Sequence, residues 1–116
     1  MSLSEKEIWD RVCNLKGKTL HTYIENMPNT IVDVQNSGLP GDAVIIKERN
    51  TSPIREDIVA AYQFFEENKK LQRSTDLEWL ATPEKKTSSI VFRIVGEIAG
   101  DNAILISRKP ETLKLE

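Results

Sequence analysis

The chain has one cysteine and one histidine. With Cys13 alone, no intrachain disulfide can form, and a single thiol fits a reducing compartment. With His21 alone, a His-only metal cluster, a Ser–His–Asp triad or a Cys–His pair would all rest on one side chain. Cys13 falls on the apolar side of a predicted helix and His21 in a strand-like run, and nothing around either has metal-ligand spacing. No apolar run approaches the roughly 18 to 20 residues of a membrane span. The opening MSLSEKEIW lacks the basic-then-apolar order of a signal peptide. These absences lead us to expect a cytoplasmic protein without a membrane partner. A net charge of -2 excludes a generally basic nucleic-acid coat but leaves room for a local basic patch. Internal repeats and low-complexity blocks are lacking, and Leu115-Glu116 is given no function.

What remains is ordinary globular composition: 116 residues, 39% hydrophobic and 29% charged. We expect one domain over residues 1–110, with 111–116 as a frayed tail. A first helix is predicted over residues 5–16. Ser4 and Glu7 have capping-box spacing, Leu3 and Ile8 suit a hydrophobic staple, and Gly17 suits the left-handed residue after a helix. Three β-type runs follow, at residues 19–24, 30–35 and 43–49, separated by turn signals at 25–29 and 36–42. Their short connections favour an antiparallel meander.

A second helix follows "RNTSPIRED", with Ser52 as N-cap and Pro53 at the first helical position. Ile54, Ile58, Ala61, Tyr62 and Phe65 form its apolar stripe. A short third helix is placed by Thr75 and Glu78, again with capping-box spacing. Residues 88–99, SSIVFRIVGEIA, match a helical stripe, whereas their β-branched content suits a strand; the helix is the preferred reading. A strand over 103–107 is expected to pair with the edge of the meander. The fold class is therefore α+β: N-terminal helix, three-stranded antiparallel meander, two or three helices and a C-terminal strand.

Catalytic chemistry finds little footing. The carboxylates read as helix-start or solvent-face residues, and Gly38-Leu39-Pro40-Gly41 lacks the following Lys-Ser/Thr of a phosphate loop. No catalytic residue, metal site or cofactor is assigned. The cations are more informative. Residues 1–57 carry seven cations against nine acids, whereas residues 69–93 carry six (Lys69, Lys70, Arg73, Lys85, Lys86, Arg93) against three. If the helix ends meet, a basic face results, with helix N-termini adding to it. The candidate nucleic-acid contacts are Arg49, Arg55, Lys69, Lys70, Arg73, Lys85 and Lys86. The rival reading is a protein-interaction or homodimerisation module using a strand edge or an aromatic patch of Phe64, Trp79 and Phe92.

The series Trp9-x-x-Val12-x-x-Leu15-x-Gly17-Lys18-Thr19-Leu20-x-Thr22, followed by Ile31-x-x-Val34 and then Ile58-x-x-Ala61-Tyr62, resembles small α+β domains of bacteria and archaea. Some of these adjoin DNA restriction or modification proteins. The resemblance spans the first half of the chain and implies a nucleic-acid-associated accessory role without catalytic residues.

Overall fold

A computed structural model describes residues 2–38 and 40–116. Leu39, within the predicted 36–42 loop, lies outside the described residues, as does Met1. The first helix, α1, runs Glu5–Cys13. Its capping box forms as predicted: the Ser4 hydroxyl accepts the Glu7 N–H, and the Glu7 carboxylate accepts the Ser4 N–H. Strands β1 (Thr19–His21), β2 (Pro28–Val34) and β3 (Val44–Ile46) make the antiparallel meander in order β1-β2-β3.

Helix α2 spans Arg55–Asn68, starting two residues later than a helix capped by Ser52 would. Tertiary pairing overrides the capping signal. Ala43 bridges Ile54, the Val44 N–H donates to the Pro53 carbonyl at 2.9 Å, and the Arg55 N–H donates to the Asp42 carbonyl at 2.7 Å. Residues 53 and 54 thus extend alongside the start of β3, and the helix begins only afterwards.

After α2, Lys69 takes a left-handed conformation and the chain turns at once into β4, Lys70–Gln72. The predicted third helix begins early, as α3 (Arg73–Asp76), because β4 pairing fixes where the extended chain ends. A 3-10 turn over Glu78–Leu80 follows. Residues 88–99 are helix α4, Ser88–Ala99. Packing rather than propensity decides here: only Ser89, Arg93 and Glu97, spaced four apart, escape full burial, and the rest of its surface is covered.

The last strands correct two expectations. Strand β5, Ala103–Arg108, pairs not with the meander but with β6, Glu111–Leu115. The expected frayed tail is therefore β6, the middle strand of a second antiparallel sheet ordered β4-β6-β5. Pairing on both sides explains it: Leu113, opposite Leu71 and Leu105, is buried at 0% exposure while Lys114 faces solvent. One apolar cluster joins Trp9 of α1, Ile31 of β2, Phe65 of α2, Ile94 of α4 and Leu113 of β6. Among the described residues, no helix is long and apolar enough to cross a membrane.

Candidate nucleic-acid interface

Four of the seven candidate cations meet around the first turn of α4. Arg49, after β3, donates from Nη2 to the Ser89 hydroxyl at 3.0 Å and from Nη1 to the Lys86 carbonyl at 3.3 Å. Its Nε donates to Asn29 Oδ1 at 2.5 Å. Arg73 of α3 reaches the next residue of the same turn, with Nη1 3.4 Å from the Ser88 hydroxyl. Lys85 and Lys86 lie in the loop entering α4. The turn itself lacks a side-chain cap, and the buried Thr87 Oγ1 at its cap position has no partner among the described residues. The N-terminal N–H groups of a helix carry a partial positive charge, so this end adds to the field of the cations.

Not all of that charge is available. Arg73 pairs with Glu111 at 2.8 Å and Lys85 with Asp57 at 3.0 Å. Arg49 differs: its three partners are neutral, and no carboxylate among the described residues lies within ion-pair distance. Burial pushes its guanidinium down from the ordinary value, although an arginine stays charged at neutral pH. Arg49 and Ser89 line a cavity of about 320 Å³ whose other walls include Glu25, Glu48, Met27 and Pro28. The carboxylates of Glu25 and Glu48 line the same cavity and oppose an anion there.

The other three candidates lie elsewhere. Arg55 is held by Glu5 at 3.2 Å and Asp42 at 3.6 Å, with its guanidinium 5.5 Å from the centre of the Trp9 ring. It clamps α1 to α2. Lys69 shares a cleft with Ala99, at the far end of α4 from Lys86, and a helix of twelve residues is about 18 Å long. Lys70 follows Lys69 in β4.

Two cations left out of the candidate set, Arg93 and Arg108, hold the same β1–β2 hairpin as Arg49. Arg93 donates to the His21 carbonyl at 2.8 Å and pairs with Glu97. Arg108 donates to the Tyr23 carbonyl at 3.2 Å. Lys109 follows it at the β5–β6 turn, whose next strand begins with Glu111, the partner of Arg73. The β1–β2 hairpin is thus held by Arg49, Arg93 and Arg108 from three different parts of the chain. The missing signal was β6: with residues 111–116 read as a tail, Arg108 and Lys109 did not register as a hairpin tip.

The aromatic candidates divide. Phe92 is fully buried and stacks edge-on to Tyr23, so its assignment to an interface is corrected. Only the partly exposed stripe through Ser89, Arg93 and Glu97 opens to solvent on α4, and position 92 lies about 100° round the helix from position 93, on the covered surface. Phe64 and Trp79 are exposed at 40% and 41%. Trp79 carries the Lys85 ammonium 5.4 Å from its ring centre, and its indole N–H donates to the Asp76 carbonyl.

Cys13 is half-buried, and burial pushes its thiol above the ordinary value, which disfavours the reactive thiolate. Among the described residues, no group of three His, Cys, Asp or Glu side chains is placed to hold a metal ion. Comparison with family models, curated proteins and solved structures finds no match to this chain.

Proposed function

We propose that this protein is a small non-enzymatic binding module that engages the phosphates of nucleic acid at the N-terminal end of α4. The observation that carries the reading is Arg49: a half-buried guanidinium with no acid partner among the described residues, beside a helix end with no side-chain cap. Buried charges ordinarily have counter-charges. An incoming phosphate supplies one, and Lys86, whose carbonyl accepts from Arg49 and whose ammonium has no acid partner among the described residues, adds charge nearby. The paired states of Arg73 and Lys85 keep the contact modest, in line with a net charge of -2.

The test is fluorescence anisotropy with a duplex of about 20 base pairs between about 50 and 200 mM salt. Binding should weaken steeply as salt rises. The double variant Arg49→Ala/Lys86→Ala should flatten the log–log salt slope by about 1.8, at about 0.9 per lost phosphate contact. Wild-type protein that binds no duplex at the lowest salt ends this reading.

One observation favours a second reading, a protein-interaction or self-association module. β5 is an edge strand with Ile104 and Ile106 exposed at 44% and 49%. A register shift between Leu105 and Ser107 interrupts that edge, and such bulges discourage strand addition. Elution at twice the monomer mass, insensitive to salt, would favour this reading over the first.

A further inference from the structure

We propose that the β5–β6 hairpin tip, Arg108 and Lys109, is a second arm of the nucleic-acid surface, and that the partner is a duplex gripped by its backbone. The inference rests on the phosphate-binding reading above and names its partner.

Position comes first. Arg108 lies opposite Glu111 across the hairpin. Glu111 holds Arg73, and Arg73 reaches Ser88 on the first turn of α4. On the other side, Arg108 and Arg93 donate to successive parts of the β1–β2 hairpin, at Tyr23 and His21. The hairpin tip and the α4 end are therefore joined by a short chain of direct contacts. Among the described residues, Arg49 and Lys86 at the helix and Arg108 and Lys109 at the tip have no acid within ion-pair distance, although Arg108 is opposite Glu111 in the hairpin. Two cationic points suit a rigid polyanion better than a single small anion.

The kind of contact follows from what covers α4. The second helix of a helix-turn-helix ordinarily presents a face to the major groove. Here Arg93 and the β1–β2 hairpin lie over α4, and Arg93 is committed to Glu97 and the His21 carbonyl. The helix therefore offers no free row of side chains to base edges. Contacts from this surface go to phosphates, which position a protein on a duplex without reading sequence.

A single strand fits less well. Sequence-tolerant single-strand binding relies on aromatic platforms. The exposed ring of Trp79 already has Lys85 over its face. Displacing Lys85 would strand the carboxylate of Asp57, which is 8% exposed. Tyr23 is covered by Arg93, 5.0 Å from its ring centre.

The experiment compares Lys109→Ala, Lys109→Glu and Arg108→Ala/Lys109→Ala with wild type, using duplex DNA, duplex RNA and single strands of one sequence. Lys70→Ala, outside this surface, is the control. Each lost contact should cost about eightfold in affinity near 0.1 M salt and reduce the salt slope by about 0.9. The charge reversal should cost more than the truncation. Thermal melts should show Lys109→Ala folded as wild type, because its side chain is exposed. Scrambling the duplex sequence should change little. If the tip variants bind as wild type while Arg49→Ala/Lys86→Ala does not, the tip is no arm of the surface and the α4 reading stands. If single strands bind more tightly than both duplexes, the duplex assignment is overturned. If nothing binds, both fall. The DNA and RNA arms show which duplex geometry the two points span.

Discussion

Arg49 donates to the Ser89 hydroxyl at 3.0 Å and, among the described residues, to no carboxylate. The same guanidinium satisfies Asn29, whose side chain is buried at 2% exposure. Arg49 therefore has two separable duties. Arg49→Ala removes the donor of a buried amide oxygen and should lower unfolding free energy by about 1–3 kcal/mol. Arg49→Lys keeps the charge but loses the planar fork that reaches three acceptors at once. It should be destabilised to a similar degree while retaining the salt slope of wild-type duplex binding. Urea melts and anisotropy on the two variants check this. Equal loss of slope in both would mean that the fork, not the charge, meets the ligand.

Gly96 lies against Tyr23, and that contact reverses a familiar sign. Glycine inside a helix ordinarily costs about 0.5–1 kcal/mol relative to alanine. At position 96 an added Cβ would overlap the Tyr23 hydroxyl and press on Leu113 Cδ1 at 3.2 Å. The ring has little freedom to withdraw, since it packs on Phe92 and under Arg93. Gly96→Ala should therefore destabilise by about 1–3 kcal/mol, as overpacking does. In a Tyr23→Phe background the cost should shrink, because the overlapping oxygen is gone. A double-mutant cycle by chemical denaturation measures that coupling, and additive effects would show that the hairpin moves aside freely.

How far the fold was legible follows from where local and long-range signals agree. At α1, the Ser4–Glu7 box and the Ile8, Trp9 and Val12 stripe act within one turn or two, and the helix starts where they say. At α2, Ser52 and Pro53 carry equally good local chemistry, yet pairing of Ala43 with Ile54 fixes the start. β4 is three residues long and flanked by helices, too short for period-2 alternation to be visible. The site divides in the same way. Clustering of Lys85, Lys86 and Arg73 along the chain placed them near one helix end. Arg108 and Lys109 joined them only through β6, which pairs locally with β5 but reaches β4 across 40 to 44 residues of sequence. Asp57 and Glu111, which neutralise two of the candidate cations, gave no local sign of doing so.

The position of β6 makes the C-terminal residues essential to the fold. Leu113 is opposite Leu71 of β4 on one side and Leu105 of β5 on the other, and is fully buried. Leu113→Ala should cost about 2–5 kcal/mol, the range for leucine truncation in packed cores. Deleting residues 111–116 leaves both β4 and β5 without a partner and uncovers α4. That variant should lose cooperative unfolding, followed by far-UV circular dichroism against urea. A truncated protein with wild-type cooperativity would refute the central role of β6.

Asp42 gives stability a defined response to acid. Its carboxylate accepts the Ser37 hydroxyl at 2.5 Å, the Ser37 N–H at 3.2 Å and the Gly38 N–H at 3.0 Å, and faces Arg55 at 3.6 Å. The Ser37 hydroxyl, with the two N–H groups and Arg55 behind it, holds the carboxyl below its ordinary value against the opposing effect of burial. A depressed folded-state pKa means that the charged form is the stabilising one. Its contribution is complete above the unfolded-state value, about 3.9, and disappears as pH falls through the lower folded-state value. Asp42→Asn should therefore have a lower urea midpoint than wild type at pH 7 and at pH 5. Below about pH 4 the gap should begin to narrow, and it should close only below the depressed folded-state value, where Asp42 is protonated in the folded protein as well. Glu7 and Glu48 are also held below their ordinary values, by Ser4 and Thr30, but they are present in both proteins and cancel in the comparison. A gap that stays constant down to pH 3 would show that the Asp42 charge contributes nothing and that only the shape of its hydrogen bonds matters.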